Sequence, residues 1–153
     1  MPSKSVAPPK TGELYERDFL IWTEDTARLL RAGRFDEVDV EHIAEEIEDM
    51  GKSRRHELHS RLTTLLWHLL KWKYQPEKRS TSWRLTILEQ RRELGYLLEE
   101  SPSLRPAVSK AVGSVYSHSV KGASTETDLP CSAFPDHCPF APEQILDEDF
   151  LPD

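Results

Sequence analysis

Between Asp39 and Trp72 the apolar residues return with the period of an α-helix: Val40, Ala44, Ile47, Gly51, Leu58, Leu62, Leu65 and Leu69 fall on one stripe at about 100° per residue. A stripe that keeps its phase this long demands one long helix with neighbours laid against it, and the rest of the chain is expected to pack around it. The phase survives Gly51, so the helix is expected to run through it, with a bend at Gly51-Lys52-Ser53 as the alternative. At helical rise the segment spans about 50 Å. Asp39 suits the N-cap, Glu41, Glu45, Glu46, Glu48 and Asp49 suit the positive end of the helix dipole, and Lys71 and Lys73 suit the negative end.

The flanking segments carry shorter helical patterns. Leu14, Tyr15, Phe19, Trp22, Thr26, Leu29 and Leu30 predict a first helix over Glu13 to Ala32, with Gly33 as its C-terminal glycine. Arg34 to Val38 then makes a short connection in which Phe35 is expected to anchor under the bundle. Tyr74-Gln75-Pro76 breaks the central helix, because proline cannot continue a helix interior. Ser80 or Ser82 can cap a third helix reaching about Glu100, with Trp83, Ile87, Leu94, Leu97 and Leu98 inward. Ser103 is expected to cap a fourth, from Leu104 to Lys121, stopped by Gly122. Beyond Ala123 the chain is irregular apart from a helical turn near Pro142 to Leu146, and Phe134, Phe140, Ile145 and Phe150 are apolar enough to hold this tail over the bundle. No segment has strand period. The expected fold is all-α: a bundle of about four helices with a long central helix and an irregular C-terminal tail packed over it. A disordered tail is expected over residues 1–12 and a single helical domain over 13–153.

The net charge of −7, with 31% charged residues, sets no default affinity for nucleic acid. No apolar run approaches the roughly 20 residues needed to cross a bilayer, and the first residues lack a hydrophobic signal region, so a cytoplasmic location off the membrane is expected. Cys131 and Cys138, the two cysteines, are expected to be reduced.

Several motifs in order carry a resemblance: Glu45-Glu46-Ile47-Glu48-Asp49-Met50-Gly51, Leu65-Leu66-Trp67-His68-Leu69-Leu70-Lys71-Trp72, Ser82-Trp83-Arg84 with Glu89-Gln90-Arg91, Phe134-Pro135 with Cys138-Pro139-Phe140, and Ile145 to Phe150. From about Leu14 to Pro152 the chain resembles the bacterial family of domains of unknown function numbered twenty-nine. The resemblance implies a small all-helical bacterial protein, usually one domain, and implies no activity.

Two constellations are candidates for chemistry. Glu41, Glu45, Glu48, Lys52, Arg55 and His59 recur three or four residues apart on the central helix, and Arg84, Gln90 and Arg91 interrupt the apolar pattern of the third. Read functionally, Glu45, Glu48, His59 and Arg91 form a catalytic cluster for acid–base, anion or metal-assisted chemistry. Read structurally, they form an interhelical ion-pair network, which is preferred because structural networks also gather paired charges. No Glu-x-x-His lies on this face, so a di-iron bundle site is not indicated, and neither a metal nor any cofactor is specified by the residues. The second constellation is a basic and aromatic corner, Trp67, Lys71, Lys73, Lys78, Arg79 and Arg84, where aromatic faces could stack bases and cations neutralise phosphates. The plainer account is a bundle end with its tryptophans in the core and its cations solvated, and the acidic balance disfavours nucleic acid.

His56 and His59 lack a third ligand, His68 is expected to pack against a neighbouring helix, and Cys138 is expected to be a small buried hydrophobe. Glycine-rich phosphate loops, Gly-x-Ser-x-Gly elbows and His-Glu-x-x-His are absent. The leading expectation is therefore a helical interaction module, self-associating or binding a protein partner, with Trp22, Trp67 or Trp72 available to it.

Overall fold

The computed structural model describes residues 11–153, and those residues carry helices but no strand. The fold is all-α. Its α-helices are α1 (Thr11–Arg17), α2 (Phe19–Arg31), α3 (Val40–Tyr74), α4 (Thr81–Glu100), α5 (Val108–Thr127) and α6 (Pro142–Leu146). They group into two compact units, one ending at Gly51 and one from Lys52 to Asp153. The tail expected over residues 1–12 lies outside the described residues as far as residue 10, and Thr11 and Gly12 open α1.

α3 runs unbroken through Gly51. Its start is fixed as the sequence indicates: Asp39 accepts the backbone N–H of His42 at 3.2 Å, satisfying one of the donors a helix start leaves open. The first expected helix, however, is two. Asp18 closes α1 through its own N–H to Leu14 O at 2.8 Å, and its carboxylate accepts Ile21 N–H at 3.1 Å, capping α2. A short polar side chain that can bond the backbone outside the helix competes with helix continuation there. α2 ends as expected. Gly33 takes φ +70°, its N–H reaches Leu30 O at 3.1 Å, and Arg34 N–H reaches Leu29 O at 3.0 Å, the paired bonds of a left-handed glycine cap. Phe35 corrects another expectation, since it is exposed rather than tucked away.

In the second unit the core is the C-terminal half of the α3 stripe. Leu62, Leu65, Leu66, Leu69 and Leu70 are each 0% exposed. They pack with Ile87, Leu94, Leu97 and Leu98 of α4, and with Val108, Ala111, Val112 and Val115 of α5. Burying each leucine contributes on the order of 1.5–3 kcal/mol. Ser80 caps α4, accepting Trp83 N–H at 3.2 Å. Ser103 does not cap α5. Pro102–Ala107 winds as a tighter 3₁₀ turn because Pro106 lacks the N–H that would bond back one α-turn, and α5 starts at Val108.

Nor does Gly122 stop α5, which continues to Thr127 and ends where Asp128 adopts φ +58°. Gly122 is instead a packing residue: a Cβ there would lie 2.6 Å from the Trp67 indole. The C-terminal tail lies over this core with Phe134, Phe140 and Ile145 buried, and α6 falls where the sequence placed a helical turn.

Candidate functional site

The two predicted catalytic carboxylates, Glu45 and Glu48, are exposed on the first-unit part of α3. His59 and Arg91 belong to the second unit, His59 exposed and Arg91 3% exposed. Arg91 faces the C-terminal tail. Its Nε donates to Ile145 O at 2.8 Å, Nη1 to Phe150 O at 2.7 Å and to Glu148 O at 3.5 Å, and Nη2 to Gln144 O at 3.2 Å. The guanidinium thus closes the carbonyl end of α6 and the turn after it. Burial lowers its pKa from the ordinary arginine value, opposed by the carboxylates of Asp147 and Glu148. A planar fork with five donors suits diverging carbonyls that a lysine could not reach together. Among the described residues no group of three or more His, Cys, Asp or Glu side chains is placed to hold a metal ion.

The basic corner is similarly engaged. Lys71 is buried, pairs with Glu126 and lies 4.4 Å from the centroid of the Trp83 ring. Arg79 lies 5.2 Å from the Trp72 ring centroid and donates to Trp72 O at 2.8 Å and to Pro152 O at 3.2 Å. Trp67 lies against Gly122. Lys78 and Arg84 are exposed and Lys73 is half-buried. The aromatic faces that would stack bases are therefore in contact with the protein's own cations and backbone. Trp22, expected to be available to a partner, is buried, with Tyr15 edge-on at 4.9 Å.

His68 is half-buried and donates from Nδ1 to Thr64 O at 2.8 Å, and burial lowers its pKa below the ordinary histidine value. Cys138 is half-buried among core residues with its Sγ 3.5 Å from Phe140 O, and burial raises its pKa.

A polar cluster in the first unit was not singled out by the sequence. His42 Nδ1 donates to Asp39 Oδ2 at 2.6 Å, the imidazole stacks on Tyr15 with ring centroids 3.9 Å apart, and Tyr15 OH donates to Glu46 Oε1 at 2.6 Å. This ties α1 to the start of α3. The Glu46 bond pushes Tyr15 up to about 12, the Asp39 bond raises His42, and the His42 bond lowers Asp39. Spacing of three between Asp39 and His42 was the available signal, but nothing in the sequence places Tyr15 against either.

The pH behaviour follows from those directions. A histidine raised in the fold stabilises it fully below its unfolded value of about 6.5 and loses that contribution as pH rises through the folded value. The lowered Asp39 stabilises above its unfolded value of about 3.9 and loses that contribution as pH falls through the folded value. Proton NMR is expected to show His42 titrating above 6.5, and His42→Gln to flatten the alkaline fall of the melting temperature; a His42 midpoint at or below about 6.5 would contradict this.

The largest departure from expectation concerns the stripe itself. Val40, Ala44, Ile47 and Gly51 share the face that Leu58, Leu62, Leu65 and Leu69 continue, yet all four are exposed. The family model of the domain of unknown function DUF29 matches residues 14–151. The chain belongs to that family. No curated protein and no solved structure matches it. In this DUF29 protein no described helix is long and apolar enough to cross a membrane. In the first unit that face of α3 is uncovered.

Proposed function

We propose that this DUF29 protein is a helical interaction module that self-associates through its first unit. The observation that carries this reading is the uncovered N-terminal half of the α3 stripe. Leu20, Phe35, Val40, Ile47 and Met50 are between 63% and 70% exposed, while among the described residues the buried apolar ones of this unit are Trp22 and Leu29. So small a core cannot offset the entropy of ordering three helical segments. A unit in that position needs a constant partner, and the partner always present at matching concentration is another copy, usually across a two-fold axis.

Charge gives the reading a distinctive signature. Residues 1–51 hold thirteen acidic and six basic residues, so the whole net charge of −7 resides there. Two such units repel, and added salt screens the repulsion over a Debye length of about 10 Å at 0.1 M. Association driven by apolar burial at this face therefore strengthens with salt, whereas docking of a basic partner weakens.

Sedimentation equilibrium of the full chain is expected to give a dimer whose Kd falls as sodium chloride rises. Val40→Glu with Ile47→Glu is expected to give a monomer that keeps its helical circular dichroism, because both positions are exposed within one chain. A strict monomer at every salt concentration, or a double variant that associates like the parent, would overturn the proposal.

A further inference from the structure

We infer that the outward face of α4 is a second self-association surface, on which α4 pairs antiparallel with α4 of another copy. α4 is apolar on two sides. Ile87, Leu94, Leu97 and Leu98 enter the core, while Leu85, Leu88 and Tyr96 are 59%, 41% and 56% exposed. Leu85, Leu88, Arg92 and Tyr96 follow one another in steps of three, four and four residues, the spacing of a seam that meets another helix.

The charges on this face complement themselves in one register. If two copies of α4 run antiparallel so that Leu85 of one meets Tyr96 of the other, the midpoint falls between Gln90 and Arg91, and the same register sets Glu89 opposite Arg92 twice over. Glu89 and Arg92 are exposed, Arg92 donating to Glu93 at 3.1 Å within its own helix, a surface pair that exchange with Glu89 of the other copy would replace or share, and with Leu85, Leu88 and Glu148 they line an open groove of about 450 Å³. Gly95 lies on the same side of the helix. A Cβ there would meet nothing within 4 Å, so no contact within the chain requires glycine, although glycine costs a helix interior about 1 kcal/mol relative to alanine. A missing Cβ on a face that meets a second helix lets the two backbones approach.

The occupant is a second copy because the pattern is self-complementary, and because residues 52–153 carry fourteen acidic and fourteen basic residues and so do not repel their like. One helix pair buries less than the roughly 1,600 Å² of a standard stable interface, so this contact is weak and forms at high protein concentration. It stands independently of the first-unit proposal.

The test uses the full chain carrying Val40→Glu and Ile47→Glu, in which only α4 is left to pair, followed by sedimentation at low salt. Glu89→Arg alone and Arg92→Glu alone are each expected to weaken association about tenfold, and the two together to restore it, because the pairs re-form with their signs exchanged. Tyr96→Glu is expected to abolish it without moving the melting temperature. Added salt should weaken this contact, the opposite of its effect at the first unit. Single reversals without effect, a combined reversal that fails to recover, or Tyr96→Glu associating like its parent would each overturn the inference. If the first-unit proposal fails instead, the background substitutions change nothing and the α4 series reads out unaltered.

Discussion

Arg91→Leu is expected to destabilise the fold by about 3–5 kcal/mol, because several backbone acceptors lose a charged donor and each such bond contributes about 1.5–3 kcal/mol. The guanidinium is the common donor to Gln144 O, Ile145 O, Glu148 O and Phe150 O, spread over the last turn of α6 and the segment after it. Leucine fills part of the volume but leaves those acceptors without a donor, and a buried polar group left so costs about 1–3 kcal/mol. The loss is local first. Ile145 N–H bonds to Ala141 O at 3.0 Å and Phe150 N–H to Asp147 O at 3.3 Å in this tail, so these two amides are expected to lose hydrogen-exchange protection before those of α3. Arg91→Lys should recover only part, since an ammonium donates from a point and cannot span diverging carbonyls. At roughly 2–4 °C per kcal/mol for a chain this long, the melting temperature of Arg91→Leu should fall by about 10 °C. Full protection of Ile145 and Phe150 in that variant would show that the tail is held by apolar burial alone.

Gly122→Ala is expected to destabilise by about 1–2 kcal/mol, and Gly113→Ala to stabilise by up to about 1 kcal/mol, although both lie inside α5. Helix propensity favours alanine equally at the two positions. What separates them is the neighbour. A Cβ at Gly122 would sit 2.6 Å from the Trp67 ring, whereas one at Gly113 meets nothing within 4 Å. The indole cannot yield freely, because it packs against the core, and overpacking a dense interior forces strained rotamers or backbone shifts. Thermal melts of the two variants should move in opposite directions. If Gly122→Ala instead raises the melting temperature, the close approach of α5 to Trp67 is not what this position requires.

These expectations rest on parts of the fold that the sequence reveals to very different degrees. The extent of α3 was legible because cap, charge gradient and apolar period are local and agree, and the same holds for Ser80 before α4 and Gly33 after α2. The helix starts and stops that were misread, Asp18, Ser103 and Gly122, are places where one residue type serves two purposes. Aspartate can end one helix while capping the next, a serine beside prolines does not cap, and a glycine can admit a tryptophan rather than end a turn. The surroundings of Arg91 were not legible for a related reason. Arg91 interrupts an apolar pattern whether it lines a cleft or clamps a tail, and only the positions of residues 144–150 tell the two apart. The place of Tyr15 in the cluster with His42, Asp39 and Glu46 was invisible because it reaches them from an element far away in the chain.

Period, caps and charge order were enough to specify an all-helical chain built on a long central helix with an apolar tail, since each depends on residues within a turn or two of one another. Membership in the DUF29 family is likewise carried by motifs in linear order. Which half of the α3 stripe is covered was settled only in three dimensions. Burial is a property of what lies opposite a side chain, and an identical run of apolar residues reads the same whether it is covered by α4 and α5, as at Leu62 and Leu69, or left exposed, as at Val40 and Ile47.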